Sequence, residues 1–402
     1  MAAWVVLSFA ALLTGLAVLV CLYYLALAFW MLCARPRRQQ SHGEAAVHTF
    51  AIVIPAHNEE DGIAKSVEAC HSIEYPKNKY AVYVIADNCT DQTAQRAERA
   101  GATCFVRSDE AHRGKGYALE WGVARILAEG NDAVVVLDAD CSMSRNALHV
   151  FDRCLTEGAR VLQANDVVSN PDESSMTYAL AVGNVIENEL FYSPKSNLGL
   201  AVFLRGTGMV FHREILLKYP WQATSLAEDV EYTLGLLEQG LRVRFVPEAR
   251  VASAFPVSHH QLTVQRMRWA KGNIGFGKTR ALGLLWEGLK DRNLLRFDAG
   301  WTLLVLSRPL VLLELAMALV VSLLATLVIT GPISVILLST AFTVAALQLL
   351  YLAVGIVLLG LNRARARLVL KTPIVIGHLI IIAVKSLMER GEAAWAKTPR
   401  SS

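Results

Sequence analysis

From Trp4 to Cys33 the sequence carries no Asp, Glu, Lys or Arg. That is about 30 residues, more than the ~20 a helix needs to cross the hydrocarbon core of a bilayer. The stretch exceeds the ~7–15-residue core of a secretory signal and has no basic segment before it, so it reads as a retained anchor over 1–34. Arg35, Arg37 and Arg38 follow directly, and basic flanks set that end in the cytoplasm. A second apolar block runs from near Trp301 to about Leu361, broken at Gly331–Pro332. It predicts two spans within 300–362 joined by a short turn. Lys290, Arg292 and Arg296 precede it and Arg363, Arg365 and Arg367 follow, which puts the intervening region on the same side and makes a multi-pass protein of three spans, expected in the cell membrane. Arg308 and Glu314 fall inside the second span, where ionisable groups face protein or water rather than lipid. The last apolar run, Pro373–Val384, is too short to cross. With Lys385, Arg390, Lys397 and Arg400 behind it, it predicts an interfacial or re-entrant helix over 368–388 and a cytoplasmic tail over 389–402.

The 54% apolar and 18% charged content of the 402 residues suits a chain partly embedded in a bilayer. A net charge of +4 with no basic stripe excludes a nucleic-acid partner. Seven cysteines without paired spacing exclude a zinc finger or a disulfide framework.

Between the anchors, short β-branched runs alternate with helical patterns. Strands are expected at Phe50–Ile54, Tyr80–Ile85, Thr103–Val106 and Ala133–Leu137, with helices at about Asp61–Ser72, Gln92–Ala100 and Tyr117–Ala128. This alternation implies an α/β domain over 48–280 with a mostly parallel central sheet, its 260–280 region forming a helix toward the membrane. Ligands of such sheets bind beyond the carboxyl ends of the strands. There stand His57-Asn58-Glu59, Asp87-Asn88 and Asp138-Ala139-Asp140. Carboxylates gathered at one desolvated edge repel unless a cation joins them. Asp138 and Asp140, alternate residues past a buried strand, can turn toward one divalent ion, whereas Asp91 reads as a helix cap. Lys115 sits in the glycine-flanked run His112-Arg113-Gly114-Lys115-Gly116-Tyr117, and Gly206-Thr207-Gly208 is a tight turn between apolar runs. Glu228 stands at capping-box spacing from Ser225, which leaves Asp229 free of that duty. Gln265, Arg268 and Trp269 share one helical face.

Taken in order, Pro55-Ala-His-Asn58-Glu59, Asp87, Gly114-Lys115-Gly116, Asp138-Ala-Asp140, Glu228-Asp229 and Gln265-Arg266-Met267-Arg268-Trp269 resemble the family 2 glycosyltransferases, with their GT-A nucleotide-sugar-binding fold. The last motif is shared with the membrane synthases of cellulose, chitin, hyaluronan and poly-N-acetylglucosamine. The resemblance implies that Asn58, Glu59, Asp87, Lys115, Asp138, Asp140, Gln265, Arg266, Arg268 and Trp269 bind the nucleotide-sugar. It implies that Asp138 and Asp140 hold Mg²⁺ or Mn²⁺, and that Asp87 meets the base, which favours a UDP-sugar donor. Asp229 would be the general base of an inverting transfer, with Gly206, Thr207, Gly208, Glu228 and Trp269 on the acceptor side. The motif points to extension of a saccharide chain in the manner of a polysaccharide synthase. Transfer of one sugar to a lipid acceptor, as in ceramide glucosyltransferase-like enzymes, is the alternative. Three spans are few for a channel, so chain export implies a homo-oligomer or an accessory membrane partner.

Two rival readings remain open in the sequence. Gly272-Asn-Ile-Gly-Phe-Gly277-Lys278-Thr279 fits the phosphate-loop pattern G-x-x-x-x-G-K-[ST], but polar, helical Val264–Lys271 precedes it where that motif needs a strand. A transporter or channel component is the other, and it leaves the large α/β domain without a purpose.

Overall fold

The computed structural model describes residues 2–33, 46–329 and 331–388. Arg35, Arg37, Arg38 and the 389–402 tail lie outside the described residues. The chain forms β1 (Phe50–Ala56), β2 (Tyr80–Asp87), β3 (Thr103–Arg107), β4 (Ala133–Val136), β5 (Cys141–Met143), β6 (Val161–Val168), β7 (Met209–His212) and β8 (Val243–Ser253). They make one sheet in the order β3-β2-β1-β4-β7-β6-β8-β5. The first four neighbours pair parallel, β7 runs antiparallel between β4 and β6, and β6 pairs parallel with β8. The expected α/β fold with a mostly parallel sheet is therefore present, with β7 and β5 as reversals.

Phe50 to Ile54 in β1 are wholly buried because helices cover both faces, which is why the strand reads as an unbroken apolar run. Alternate side chains enter different layers, following the pleat. Ile52 and Ile54 join Val67 and Phe151, whereas Val53 joins Leu119 and Phe211. This second layer continues into Val20, Tyr24 and Leu27 of the Ala2–Cys33 helix. The N-terminal helix thus shares a core with the domain.

Three helices are long and apolar enough to cross a membrane: Trp4–Cys33, Arg308–Val328 and Pro332–Leu359. The first packs against both others. The structure corrects the start of the second apolar block. Trp301 belongs to a separate helix, Leu294–Val305, that packs on the long His259–Lys290 helix, and the span begins only at Arg308. The reason is Asp298, 3% exposed, which binds the domain and cannot face lipid. At the C-terminal end, Arg363–Val369 and Thr372–Met388 form a pair bent by 42°, a broken span or a re-entrant loop.

The same long helix removes the phosphate-loop reading. Ser258 and Gln261 cap it with a capping box, and every residue from Gly272 to Thr279 lies inside it. No loop is there to wrap phosphates. Gly272 serves packing instead, because a Cβ would stand 2.6 Å from that of Ala227, one residue before Glu228.

Lys195, wholly buried, is tied to Asp298 at 3.0 Å and contacts Thr302 Oγ1. Tyr23 of the first span donates to Asp298 Oδ1 at 2.6 Å, and the Ala201 amide donates to Oδ2 at 2.8 Å. Burial holds the Lys195 ammonium below its ordinary pKa, and the Asp298 charge opposes that shift. Removing one partner of such a pair leaves an uncompensated buried charge costing about 3–5 kcal/mol. Asp298→Ala, which also strips Tyr23 and Ala201 of their acceptor, is expected to lower the thermal midpoint of the detergent-solubilised chain more than Lys195→Met does. An equal or smaller loss would show that Asp298 is not the tie.

Candidate active site

Parallel pairing brings the carboxyl ends of β1, β2 and β4 to one edge, and β6, antiparallel to β7, ends there too. Because β7 opposes β4 with Met209 beside Val136, the Gly206–Gly208 turn that enters β7 reaches the same edge. A surface cavity of about 490 Å³ lined by Asp132, His212, Arg213, Glu214, Leu217 and Lys218 lies at the opposite edge and contains none of these groups.

At the centre, Lys115 Nζ binds Asp138 Oδ1, donates to the Gly206 carbonyl at 2.7 Å, and lies 3.9 Å from Glu228. Thr207 Oγ1 accepts the Asp138 amide at 3.1 Å. Gly206 has φ +80, and a Cβ there would sit 3.5 Å from Lys115 Nζ and 3.6 Å from Asp229 Oδ2. A side chain at 206 would therefore be strained and would fill the space between the ammonium and the carboxylate. The structure brings Lys115, Asp138, Gly206, Thr207, Glu228 and Asp229 together.

The capping-box reading of Ser225 and Glu228 is corrected. The helix starts at Glu228 itself, with Ala227 as N-cap and no side-chain cap, while the Ser225 amide donates to Glu231 Oε2 at 3.0 Å. Glu228 is thereby free to face Lys115. Burial, and then the neighbouring Asp229, push its pKa up to about 7. Asp229 is raised as well, by burial first, although the Val230 amide and Lys115 favour its charged form. Burial opposes the charge on Lys115, but Asp138 and Glu228 outweigh it and raise its pKa.

Asp138, Asp140 and Cys141 offer ligand atoms all within 4.8 Å of one another. Lys115 pairs with Asp138 and also faces Glu228 and Asp229. Burial and the two aspartates push the Cys141 thiol well up, leaving it a poor ligand beside the two hard oxygen donors. The donor set fits Mg²⁺ or Mn²⁺.

Two outer groups flank this centre. Asp87 pairs with Arg107 at 2.5 Å, both buried, and Arg107 also binds Asp109 at 2.9 Å. The His57-Asn58-Glu59 loop is latched to the loop after β2. His57 Nδ1 bonds the Asp87 carbonyl at 2.7 Å, Asn58 accepts from the Thr90 amide at 2.8 Å, and the Glu59 amide donates to Thr93 Oγ1 at 2.7 Å. The cap reading of Asp91 is corrected: the N-cap is Gln92, with no side-chain cap, and Asp91 instead joins the two loops, accepting from the Thr93 amide at 3.0 Å and the Glu60 amide at 3.1 Å. Toward the membrane, Arg205 binds Asp166 at 2.6 Å and Glu187 at 3.4 Å, and Arg266 stacks on Trp269 at 4.7 Å. Gln265, Arg266, Arg268 and Trp269 all ride the His259–Lys290 helix.

Arg107, Arg205, Asp166 and Glu187 were not singled out from sequence. Asp166 near the end of a largely buried strand, and the polar run Glu187-Asn188-Glu189 within a mostly buried helix, were the available signals.

A family model described as "Glycosyltransferase like family 2" matches residues 48–272. The chain is a family 2 glycosyltransferase. It is 30% identical over 260 residues to a beta-monoglucosyldiacylglycerol synthase of Nostoc sp., covering 61% of this chain and 53% of that one. It is 28% identical over 253 residues to a cellulose synthase catalytic subunit of Pseudomonas fluorescens, covering 60% and 33%. The chain thus spans about half the length of the first relative and a third of the second. In structure it is similar to the mannosyltransferase PcManGT from Pyrobaculum calidifontis in complex with GDP-Man and Mn²⁺. The TM-score is 0.59 at 19% identity, over 95% of this chain and 99% of that one. That likeness shows the GT-A-like fold of this glycosyltransferase.

A carboxyl raised by burial contributes stability below the ordinary carboxylate range, and that stability is lost as pH rises through its folded value, here about 7 for Glu228. Glu228→Gln is therefore expected to raise the thermal midpoint at pH 8, by a margin that shrinks toward pH 5. A midpoint lowered equally at both pH values would refute the raised state of Glu228.

Proposed function

We propose that this glycosyltransferase moves a sugar from a UDP-linked donor to a lipid acceptor at the membrane surface. Its 48–280 domain works on the cytoplasmic face, held by the 1–34 anchor and the two later spans. One observation carries this reading: Asp138, Glu228 and Asp229 converge on Lys115 and Gly206 at the carboxyl edge of the sheet.

Asp138 and Asp140 are the residues to hold Mg²⁺ or Mn²⁺, which when bound neutralises charge on the leaving diphosphate. Lys115 adds a second positive charge beside the same oxygens. Asp87, fixed by Arg107, offers a carboxylate to the base, with Asn58 and Glu59 lining the donor. Asp229 takes the proton of the acceptor hydroxyl as that oxygen attacks the anomeric carbon and the bond to the diphosphate breaks, which inverts the configuration. Burial raises Asp229 above the ordinary carboxylate range, which suits it to take a proton. The Gly206-Thr207-Gly208 turn leaves room for the acceptor. Gln265, Arg268 and Trp269 bring the interface helix to the diphosphate and to the acceptor, Trp269 as a flat surface for a sugar ring.

The lipid acceptor is supported by the shared core between the catalytic layer and the first span and by the likeness to a glucolipid synthase. Extension of a saccharide chain is the second reading, supported by the Gln-Arg-Met-Arg-Trp motif and the likeness to a cellulose synthase subunit. It requires an export path built with a second copy or an accessory membrane partner.

Asp229→Asn is expected to lower kcat about 10²–10⁴-fold while UDP still binds. In the wild type, kcat/KM should rise with pH above the ordinary carboxylate range, because the base must be ionised and burial raises Asp229. A flat profile from pH 5 to 8, or an active Asp229→Asn enzyme, would remove Asp229 from that role. A panel of labelled UDP-sugars given to the reconstituted protein tests the product. A single organic-extractable product supports the lipid reading, and a polymer ladder replaces it with the second.

A further inference from the structure

Between the catalytic edge and the membrane lies a half-buried group of charges that the transfer itself does not use. Asp166 at the end of β6, Glu187 on the π-helical turn Ile186–Tyr192 and Arg205 before the Gly206 turn form one ion-pair network. Asn184 and Asn188 brace it, donating to Asp166 Oδ2 at 3.1 Å and to its carbonyl at 2.7 Å. Arg308, first residue of its span helix, reaches over to the Gly183 carbonyl. Arg266 comes from the interface helix, between the rings of Phe255 at 5.7 Å and Trp269 at 4.7 Å.

The balance is three guanidiniums against two carboxylates, and both carboxylates are already engaged with Arg205. Among the described residues Arg266 has no hydrogen bond or ion pair, and its Nε is buried without a partner. Burial, together with Arg205 and Arg308, brings the Arg266 guanidinium down to about 10 even though Glu187 and Asp166 favour its charge. A planar cation stacked in place, unpaired and short of negative charge, is a site for an anion that can accept two parallel N–H bonds.

We propose that Arg266, with Arg205 and Arg308, forms an acceptor-side site for the phosphate of a membrane lipid. Arg308 opens a span, so its guanidinium stands where the helix enters the bilayer, the level of lipid headgroups. Arg205 adjoins Gly206 and, through it, Asp229, so the site joins the headgroup level to the proposed base. This inference rests on the glycosyltransferase reading above and moves Arg266 from the donor diphosphate to the acceptor.

The test measures equilibrium binding to the detergent-solubilised full chain of dihexanoyl phosphatidic acid, dihexanoylglycerol and inorganic phosphate, and separately of UDP with Mn²⁺. Phosphatidic acid is expected to bind at least tenfold more tightly than either other probe. Arg266→Ala should weaken that binding tenfold or more and move UDP affinity less than twofold. Glu187→Gln, which removes a competing negative charge, should tighten phosphatidic acid binding. A loss of UDP affinity equal to the loss of lipid affinity in Arg266→Ala returns this residue to the donor site and overturns the proposal. So does equal binding of phosphatidic acid and dihexanoylglycerol, and so does inorganic phosphate binding as tightly as the lipid. Weakening by Glu187→Gln as well would reduce the cluster to a structural brace and also overturn it. The lipid arm is read without donor. A wild type that binds the lipid and not UDP would fail the UDP-linked reading and support this one.

Discussion

The buried Lys195–Asp298 pair is the constraint on which the relation of catalytic domain to membrane depends. An ammonium with no solvent exposure needs a carboxylate, and that carboxylate is on the Leu294–Val305 helix just before the second span. Tyr23 shares the carboxylate from the first span. Three segments far apart in sequence therefore meet at one charge. A buried pair of this kind adds little net stability over apolar packing, but a half-assembled version is costly, so it selects one arrangement of domain and spans.

That arrangement has consequences at the site. With Leu294–Val305 fixed, the long helix packed on it is fixed too, and Gly272 of that helix abuts Ala227 at the start of the Glu228 helix. The carboxylates facing Lys115 and the helix carrying Arg266 are in this way referred to one frame. Within it, Asp138 and Glu228 gather around Lys115, while Arg205 and Arg308 lie close enough to Arg266 to oppose its charge. On the proposed reading, the carboxylates by Lys115 serve the donor end of the cleft and Arg266 the acceptor end.

Much of this was legible in the sequence for direct physical reasons. Phe50–Ile54 and Ala133–Leu137 can only be doubly covered strands, and polar residues just past such strands must gather at one edge once the pairing is parallel. Asp138 and Asp140 followed from that logic, as did the dismissal of the Gly272–Thr279 pattern for want of a strand. Local rules misled where a tertiary contact competed. Ser225 and Glu228 have capping-box spacing, yet Glu228 turns to Lys115, a partner 113 residues away in the chain. Trp301 reads as bilayer-embedded because hydropathy cannot register that Asp298, three residues before it, is claimed by Lys195.

The sequence by itself determined the elements and their composition: the apolar spans, the strand–helix alternation and the kinds of side chain that end each strand. These depend on interactions within a few residues, where periodicity and turn chemistry decide. Only the tertiary structure decided which charges face one another. Arg107 with Asp87, Arg205 with Asp166 and Glu187, and Arg266 without a pair among the described residues are set by crossovers and by helix packing between distant segments. A charge alone in sequence is equally compatible with a solvated surface and with a binding site. What separates them is burial and the sign of its neighbours, and both are properties of the folded chain.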